Sequence, residues 1–229
     1  MDHILRNLNY LFTTYPLDFY AYFFLLVPLS VAVYRRGFLT PALLLISYYL
    51  CGRFISDTVM LYYSLIPQNN LNLSKVIILV DVLFIGRFYF VSLTGNSFSG
   101  RLTVVATTIV FCAALVNYLS DGPLSVGRSG LRLLMVVLAL TYFNKILAEN
   151  QIKKVVLHAA FWVSAGFLFY GAGTLMIAVS ADYLQKAPQD VYDVYANMDQ
   201  MISILFSCLA AVGLWMSKFD QDNYYTGIV

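Results

Sequence analysis

The chain has 229 residues, of which 60% are hydrophobic and only 11% charged, and its formal net charge is +2. A soluble domain carries about 25% charged residues, so this composition and a mean hydropathy of +0.74 exclude an ordinary water-soluble fold. The small net charge, with no Lys/Arg cluster longer than a pair, argues against nucleic acid as a partner.

The three cysteines give no sign of a disulfide framework or a metal centre. Cys51, Cys112 and Cys208 each stand alone in an apolar run, without a second Cys or a His at ligand spacing. We therefore interpret them as small buried hydrophobic residues, and we predict neither a metal site nor a cofactor.

Long apolar segments follow one another along the whole chain. A membrane-spanning helix needs about 20 predominantly apolar residues to cross about 30 Å of hydrocarbon. Seven segments qualify, at residues 17–34, 38–63, 76–94, 102–119, 130–147, 155–181 and 195–216. A transmembrane barrel would instead show alternating runs of about ten residues. The sequence thus predicts an all-α polytopic membrane protein, a seven-transmembrane-helix bundle forming one domain over 1–229.

The distribution of Lys and Arg predicts the orientation of this bundle, because cytoplasmic loops carry an excess of positive residues. One side of the seven-span arrangement carries Arg35, Arg36, Arg101, Lys145, Lys153, Lys154 and Lys218. The other side carries Arg6, Lys75, Arg128 and Lys186, with Arg132 just inside the membrane. We therefore expect an outside N-terminus and a cytoplasmic C-terminus. Short loops and no recognisable signal peptide favour a bacterial inner membrane.

Several charged residues stand inside the predicted spans at a similar depth. A charge within a span costs about 2.5 kcal/mol or more on insertion scales, so it requires a partner or a water-filled cavity. At 1.5 Å per residue, these charges lie roughly 6 to 15 Å below the outer ends of their spans. They are Arg53, Asp57, Asp81, Arg132 and Asp199. We predict that they converge in a polar pocket open to the extracytoplasmic side.

Two local patterns extend this polar layer. Arg53 and Asp57 are four residues apart on one helix face, so we predict that they pair directly, with Tyr49 one turn below. The predicted ligand-binding residues are Tyr49, Arg53, Asp57, Asp81, Arg132, Asp199 and the two residues that flank Asp199, Asn197 and Gln200. The alternative is that these buried ion pairs only lock the helices together.

Three polar residues of the inner half stand apart from this layer. Arg87 lies six residues from Asp81, about 240° around the helix, so we expect its partner to be Asn144, Lys145 or the cytoplasmic surface. His158 lies about one turn inside the sixth span, where a hydrogen-bonded interfacial histidine is the simplest interpretation. We take Arg87, Asn144 and His158 as candidates for a switch or relay.

These patterns favour a receptor-like sensor subunit. A small extracytoplasmic ligand would enter the polar layer, change the pairing of its charges and bias the packing of the sixth and seventh spans. The cytoplasmic loops and tail are too short to hold a signalling domain. The expected partners are therefore the lipid bilayer, the ligand and a separate effector protein.

Two other functions stay open at this point. The same carboxylates could bind a proton or cation in a small transporter or channel-like protein, although the inner half offers few polar groups for a continuous path. Alternatively, the charged layer and the small residues of the sixth span could be interfaces in a structural subunit of a membrane complex. An enzyme is not predicted, because no nucleophile can be paired with a base and no metal ligands with each other.

Overall fold

A computed structural model describes residues 12–66, 69–93, 97–149, 154–184 and 186–220 of the chain. Within these ranges all regular structure is helical, which confirms the predicted all-α class. In chain order the α-helices are α1 (Pro16–Phe24), α2 (Leu26–Tyr34), α3 (Pro41–Leu65), α4 (Leu71–Ser92), α5 (Ser97–Leu119), α6 (Leu124–Glu149), α7 (Ala159–Val179), α8 (Ala181–Leu184) and α9 (Gln189–Asp220). Single 3-10 turns cover Arg36–Phe38 and Val155–Leu157.

The long helices cross the bundle in alternating directions. We call the end at which α1, α4, α6 and α9 begin the N-face, and the opposite end the C-face. Contacts at each end fix this arrangement: Lys75 at the start of α4 meets Asp121 after α5 at the N-face, and His158 before α7 meets Asp220 at the C-face. The predicted outer side corresponds to the N-face.

Within the described residues, six helical segments are long and apolar enough to cross a membrane, so the architecture is that of an integral multi-pass membrane protein. They cover Pro16–Tyr34, Pro41–Leu65, Phe98–Leu119, Leu124–Ala148, Ala159–Val179 and Gln189–Asp220. The seventh predicted segment, 76–94, corresponds to α4 and is not among them. Every 18-residue stretch of α4 contains Lys75, Asp81 and Arg87, and these three charges reduce its apolar character.

The predicted first span consists of two helices. Pro28 has no N–H to bond to the carbonyl of Phe24, four residues earlier, and the helix breaks at Leu25, between α1 and α2. The N–H of Leu25 still bonds to the carbonyl of Ala21 at 3.2 Å. The chain therefore stays helical in φ and ψ at Leu25, and the two helices form one continuous segment, Pro16–Tyr34.

Side-chain caps define the starts of two helices. At α3, Thr40 Oγ1 accepts the Leu43 N–H at 3.4 Å. At α6, the carboxylate of Asp182 accepts the Leu124 N–H at 3.1 Å and the Ser125 hydroxyl. A negative charge at a helix N-terminus is favourable, so Asp182 ties α8 to the beginning of α6.

Helix α7 is the central helix of the bundle and packs closely on α6 and α9. Glycines permit this approach. A Cβ on Gly171 would lie 2.9 Å from the backbone oxygen of Arg132 in α6. A Cβ on Gly213 of α9 would lie 2.9 Å from the backbone oxygen of Ala159 and 2.8 Å from Val163 Cγ2 in α7. The backbones meet where those side chains are absent.

The prediction that the cysteines are buried is wrong. Cys51, Cys112 and Cys208 are all exposed on the outside of the bundle. The outer surface of a membrane helix faces lipid and is itself apolar, so a small hydrophobic residue is as well placed there as in the core.

Candidate functional site

A partly open cavity of about 310 Å³ lies in the N-face half of the bundle, between α1, α3, α7 and α9. Helix α3 packs mainly on α4, and α9 mainly on α7, so α3 and α9 face each other across this space. On the α1 side, Tyr22 stacks on Phe54 with ring centroids 4.8 Å apart, and its hydroxyl shares a 2.9 Å hydrogen bond with Thr58 Oγ1. These contacts hold α1 against α3 as a wall of the cavity.

The structure brings most of the predicted ligand-binding residues to this cavity. Five of them line it: Tyr49, Arg53, Asp57, Asp199 and Gln200. Asp81 and Arg132 are buried behind the lining, each bonded to a residue that lines it. Asn197 is exposed on α9 and is not part of the lining.

Arg53 pairs with a different aspartate from the one predicted. Its Nη1 lies 3.4 Å from Asp81 Oδ2 of the neighbouring helix α4, whereas Asp57, four residues along α3, forms no ion pair with it within 4.0 Å. The Asp81 side chain is 7% exposed, and that of Arg53 is 23% exposed. Arg53 therefore reaches sideways to a buried carboxylate, and the remaining surface of its guanidinium faces the cavity.

Arg132 of α6 supports the cavity from behind through Tyr170 of α7. Its Nη2 donates to the Tyr170 hydroxyl at 2.9 Å, and its guanidinium carbon lies 4.1 Å from the centre of that ring. Both residues are buried, and only Tyr170 reaches the cavity. Because the Tyr170 oxygen accepts this bond, its own proton remains available to an acceptor.

Three aspartates from three helices face the cavity: Asp18 of α1, Asp57 of α3 and Asp199 of α9. Within the described ranges no Lys, Arg or His nitrogen lies within 4.0 Å of any of them. Asp199 repels Asp18 and Asp57, and Arg128 of α6 attracts Asp199 from a greater distance. In the same part of the chain, no group of His, Cys, Asp or Glu side chains is arranged to hold a metal ion. The cavity therefore has an excess of negative charge spread around its wall.

Tyr49 is the deepest polar group on the α3 wall. Its side chain is only 2% exposed, yet it lines the cavity. Its hydroxyl makes no hydrogen bond to another described residue and is not among the fully buried polar atoms that lack a partner, so the cavity gives it access to solvent or to a ligand. Tyr49 is thus a buried donor and acceptor directed into the cavity.

A packed layer, which we call the aromatic floor, closes the cavity on its C-face side. It consists of Phe88, Tyr89 and Phe167, each 0% exposed. The ring centroid of Phe167 lies 5.8 Å from that of Tyr49 and 5.2 Å from that of Phe206, both of which line the cavity. It lies 6.0 Å from Phe88 and 6.1 Å from Tyr89. The floor separates the cavity from the C-face half of the bundle.

A second polar cluster lies at the C-face. His158 Nδ1 is 2.6 Å from Asp220 Oδ1, and His158 Nε2 shares a 2.5 Å hydrogen bond with the Tyr142 hydroxyl. All three side chains are buried. The predicted hydrogen-bonded histidine is therefore present, and its partners come from α6 and from the last residue of α9. This C-face cluster fastens the end of α9 to α6 and to the start of α7.

Arg87 and Asn144 belong to neither cluster. Both are exposed on the outside of the bundle. The Arg87 guanidinium carbon lies 5.5 Å from the Phe90 ring centre, whereas the Lys145 amine donates to the Ser92 carbonyl at 3.3 Å. Arg87 is five residues from the end of α4, so its long side chain can reach the C-face surface.

Sequence reasoning missed several residues of the lining. They are Asp18, Tyr22, Ser64, Tyr170, Ser203 and Ser207. Asp18 stands in the first turn of α1, two residues after Pro16, and the pattern there resembles an exposed helix start. Ser203 and Ser207 lie four and eight residues after Asp199, on the same face of α9, and this spacing could have identified both.

No protein-family description, curated protein or solved structure matches this chain. The functional argument therefore depends on the geometry of the cavity and of the C-face cluster.

Proposed function

We propose that this chain is a receptor-like membrane sensor subunit that binds a small ligand in the N-face cavity and signals through a separate effector protein. The observation that carries the proposal is the polar cavity shared by α1, α3, α7 and α9, with the aromatic floor beneath it. A ligand that touches four helices favours the arrangement in which all four contacts are made. A small transporter would need polar groups to continue beyond the floor, so the floor favours sensing.

Helix α9 supplies a route from the cavity to the opposite end of the molecule. It is continuous from Gln189 to Asp220 and about 48 Å long at 1.5 Å per residue. Asp199 faces the cavity, and Asp220 pairs with His158 in the C-face cluster. A displacement of α9 at the ligand would therefore act on this cluster, where an effector could respond.

We further propose that α4 is a seventh span, with the N-face outside and the C-face in the cytoplasm of a bacterial inner membrane. Its 22 residues are about 33 Å long, which is enough to cross hydrocarbon. Lys75 and Asp81 are buried, and they pair with Asp121 at 3.7 Å and with Arg53 at 3.4 Å. The third charge, Arg87, lies near the C-face end.

The orientation can be tested by cysteine labelling in intact cells. In a background where the three native cysteines are replaced by serine, a membrane-impermeant thiol reagent should label Asp190→Cys at the N-face and spare Lys218→Cys at the C-face. Both side chains are exposed. The reverse pattern, or equal labelling of both, contradicts the orientation.

Ligand binding can be tested by thermal melting of the detergent-purified protein against a panel of amino acids, amines, carboxylates and sugars. A ligand of the cavity should raise the melting temperature of the wild-type protein and have little effect on Asp57→Asn. Asp190→Asn is the matched control, because Asp190 is an exposed carboxylate on the same helix as Asp199. This control should respond as the wild-type protein does.

Signalling and transport make different predictions for the same ligand. In nanodiscs, a sensor should change its hydrogen exchange at the end of α9 and in Val155–Leu157 when the ligand binds. In proteoliposomes, the labelled ligand should not accumulate. Accumulation would identify a transporter, and the lack of any response across the panel would refute the binding function and leave a structural subunit.

A further inference from the structure

The polar groups of the cavity are divided by depth. On α3, Asp57 lies about 12 Å from the N-face end of the helix, Arg53 about 18 Å and Tyr49 about 24 Å, at 1.5 Å per residue. On the opposite side, Tyr170 contacts Phe206, with ring centroids 5.5 Å apart, and Phe206 is two helical turns deeper on α9 than Asp199. The carboxylates thus lie nearer the mouth, and the two tyrosines lie at the base.

Among the described residues that line the cavity only Arg53 carries a positive charge, and Arg128 acts on Asp199 from outside the lining. Arg53 is already engaged by Asp81, so its charge is largely compensated from behind. The carboxylates of Asp18, Asp57 and Asp199 form no ion pair among the described residues. Carboxylates held in a partly closed cavity are stabilised strongly by a cation that enters it.

The base of the cavity offers hydrogen-bond donors. Tyr49 is only 2% exposed and lines the cavity, and its hydroxyl makes no hydrogen bond to another residue in the described part of the chain. The Tyr170 hydroxyl accepts from Arg132 and keeps its own proton for another acceptor. The guanidinium of Arg53 also lines the cavity beside them. A ligand that reaches the base would satisfy Tyr49 by presenting an acceptor.

We propose that the ligand is a small organic cation, with an ammonium group at the mouth and a hydrogen-bond acceptor directed at Tyr49 and Tyr170. This inference rests on the proposed binding function and names its ligand class. The ammonium group is placed among Asp18, Asp57 and Asp199, which come from three helices and are spread around the wall. A volume of about 310 Å³ is at the small end of the range for ligand sites, which favours a metabolite-sized molecule.

Three probes of equal chain length separate the two ends of the ligand. They are 5-aminopentanol, which has both groups, pentylamine, which lacks the acceptor, and 1-pentanol, which lacks the charge. Apparent affinities follow from the shift in melting temperature as each probe is titrated. For the wild-type protein we expect the apparent affinity to be highest for 5-aminopentanol, lower for pentylamine and lowest for 1-pentanol.

Two variants test which residues bind each end of the ligand. Asp57→Asn should weaken the binding of both amines roughly 10-fold or more, because a hydrogen bond to a charged group is lost. Tyr49→Phe should weaken aminopentanol by roughly 3- to 10-fold, as expected for one neutral hydrogen bond, and leave pentylamine unchanged. Asp199→Asn serves as a second mouth variant should Asp57→Asn not fold, and Asp190→Asn is the control on the surface.

Each alternative outcome has a distinct meaning. If 1-pentanol, or pentanoate added as an anionic probe, binds as tightly as the amines and Asp57→Asn has no effect, the cation class is overturned while a ligand-binding cavity remains. Stabilisation by calcium chloride alone, abolished by Asp57→Asn, identifies a metal site and also overturns it. A ligand from the metabolite panel that lacks an ammonium group does the same. No response to any probe or panel member defeats this inference and the proposed function together.

Discussion

The ion pair between Arg53 and Asp81 joins α3 to α4 beside the cavity, and replacing Arg53 with methionine should be costly. At 3.4 Å and an effective dielectric constant of about 20, the attraction between the two charges is about 5 kcal/mol. Desolvation offsets part of this energy, and the cavity exposes 23% of the Arg53 side chain to solvent. Asp81, however, would remain buried without its ion-pair partner, with only the more distant Arg132 attracting it. We expect Arg53→Met to lower the free energy of unfolding by about 2–4 kcal/mol.

The assay is equilibrium unfolding in mixed detergent micelles, carried out as two double-mutant cycles. In the first cycle, Asp81→Asn is combined with Arg53→Met, and the double variant should recover more than about 1 kcal/mol relative to the sum of the single effects, because neither charge of the pair remains. In the second, Asp57→Asn replaces Asp81→Asn and should show a smaller coupling. Wild-type stability of Arg53→Met, or a larger coupling with Asp57, would refute the pairing described above.

Two further predictions concern helix packing and the C-face cluster. Gly213→Ala should lower the free energy of unfolding by about 1–3 kcal/mol, because the added Cβ meets a backbone oxygen that cannot rotate away. Gly52→Ala is the control, since a Cβ there meets nothing within 4 Å, and it should be neutral or slightly stabilising. Equal effects of the two variants in unfolding titrations would contradict the close approach of α7 and α9. Asp220→Ala should lower the free energy of unfolding by about 1.5–3 kcal/mol, the value of a buried hydrogen bond to a charged group, and should increase hydrogen exchange at the end of α9. Asp190→Ala, at an exposed position, should change neither. Unaltered exchange in Asp220→Ala would show that the bond to His158 does not hold this helix end.

Hydrophobic run length predicts the helical spans well, because a segment of about 20 apolar residues has few alternatives in lipid. Composition alone does not decide whether α4 is a span, because its charges are paired inside the bundle. Lys75 and Asp81 are buried and pair with Asp121 after α5 and with Arg53 of α3. The cysteines show the converse limit, because an apolar run does not reveal which of its faces meets lipid.

The sequence predicts the depth of the polar layer in the membrane, but it does not predict which charged residues pair within that layer. Asp57 lies on the same helix as Arg53, and the local i, i+4 rule favours it, but the rotation of α3 presents Arg53 to Asp81 on another helix. Helix rotation depends on packing between distant segments and leaves no local pattern. For the same reason the partner of His158 was not foreseen, since Asp220 follows it by 62 residues.

The break before Pro28 separates two helices that have different neighbours. Helix α2 packs on α3 and α9 near the C-face, whereas α1 carries Asp18 and leans on α3 through Tyr22. Leu25 between them keeps helical φ and ψ, and its N–H bonds to the carbonyl of Ala21, so α2 continues directly from α1. The width of the mouth is therefore set by the contacts of α1 with α3 and α9 as well as by this connection, so the wall that carries Asp18 is held from two sides.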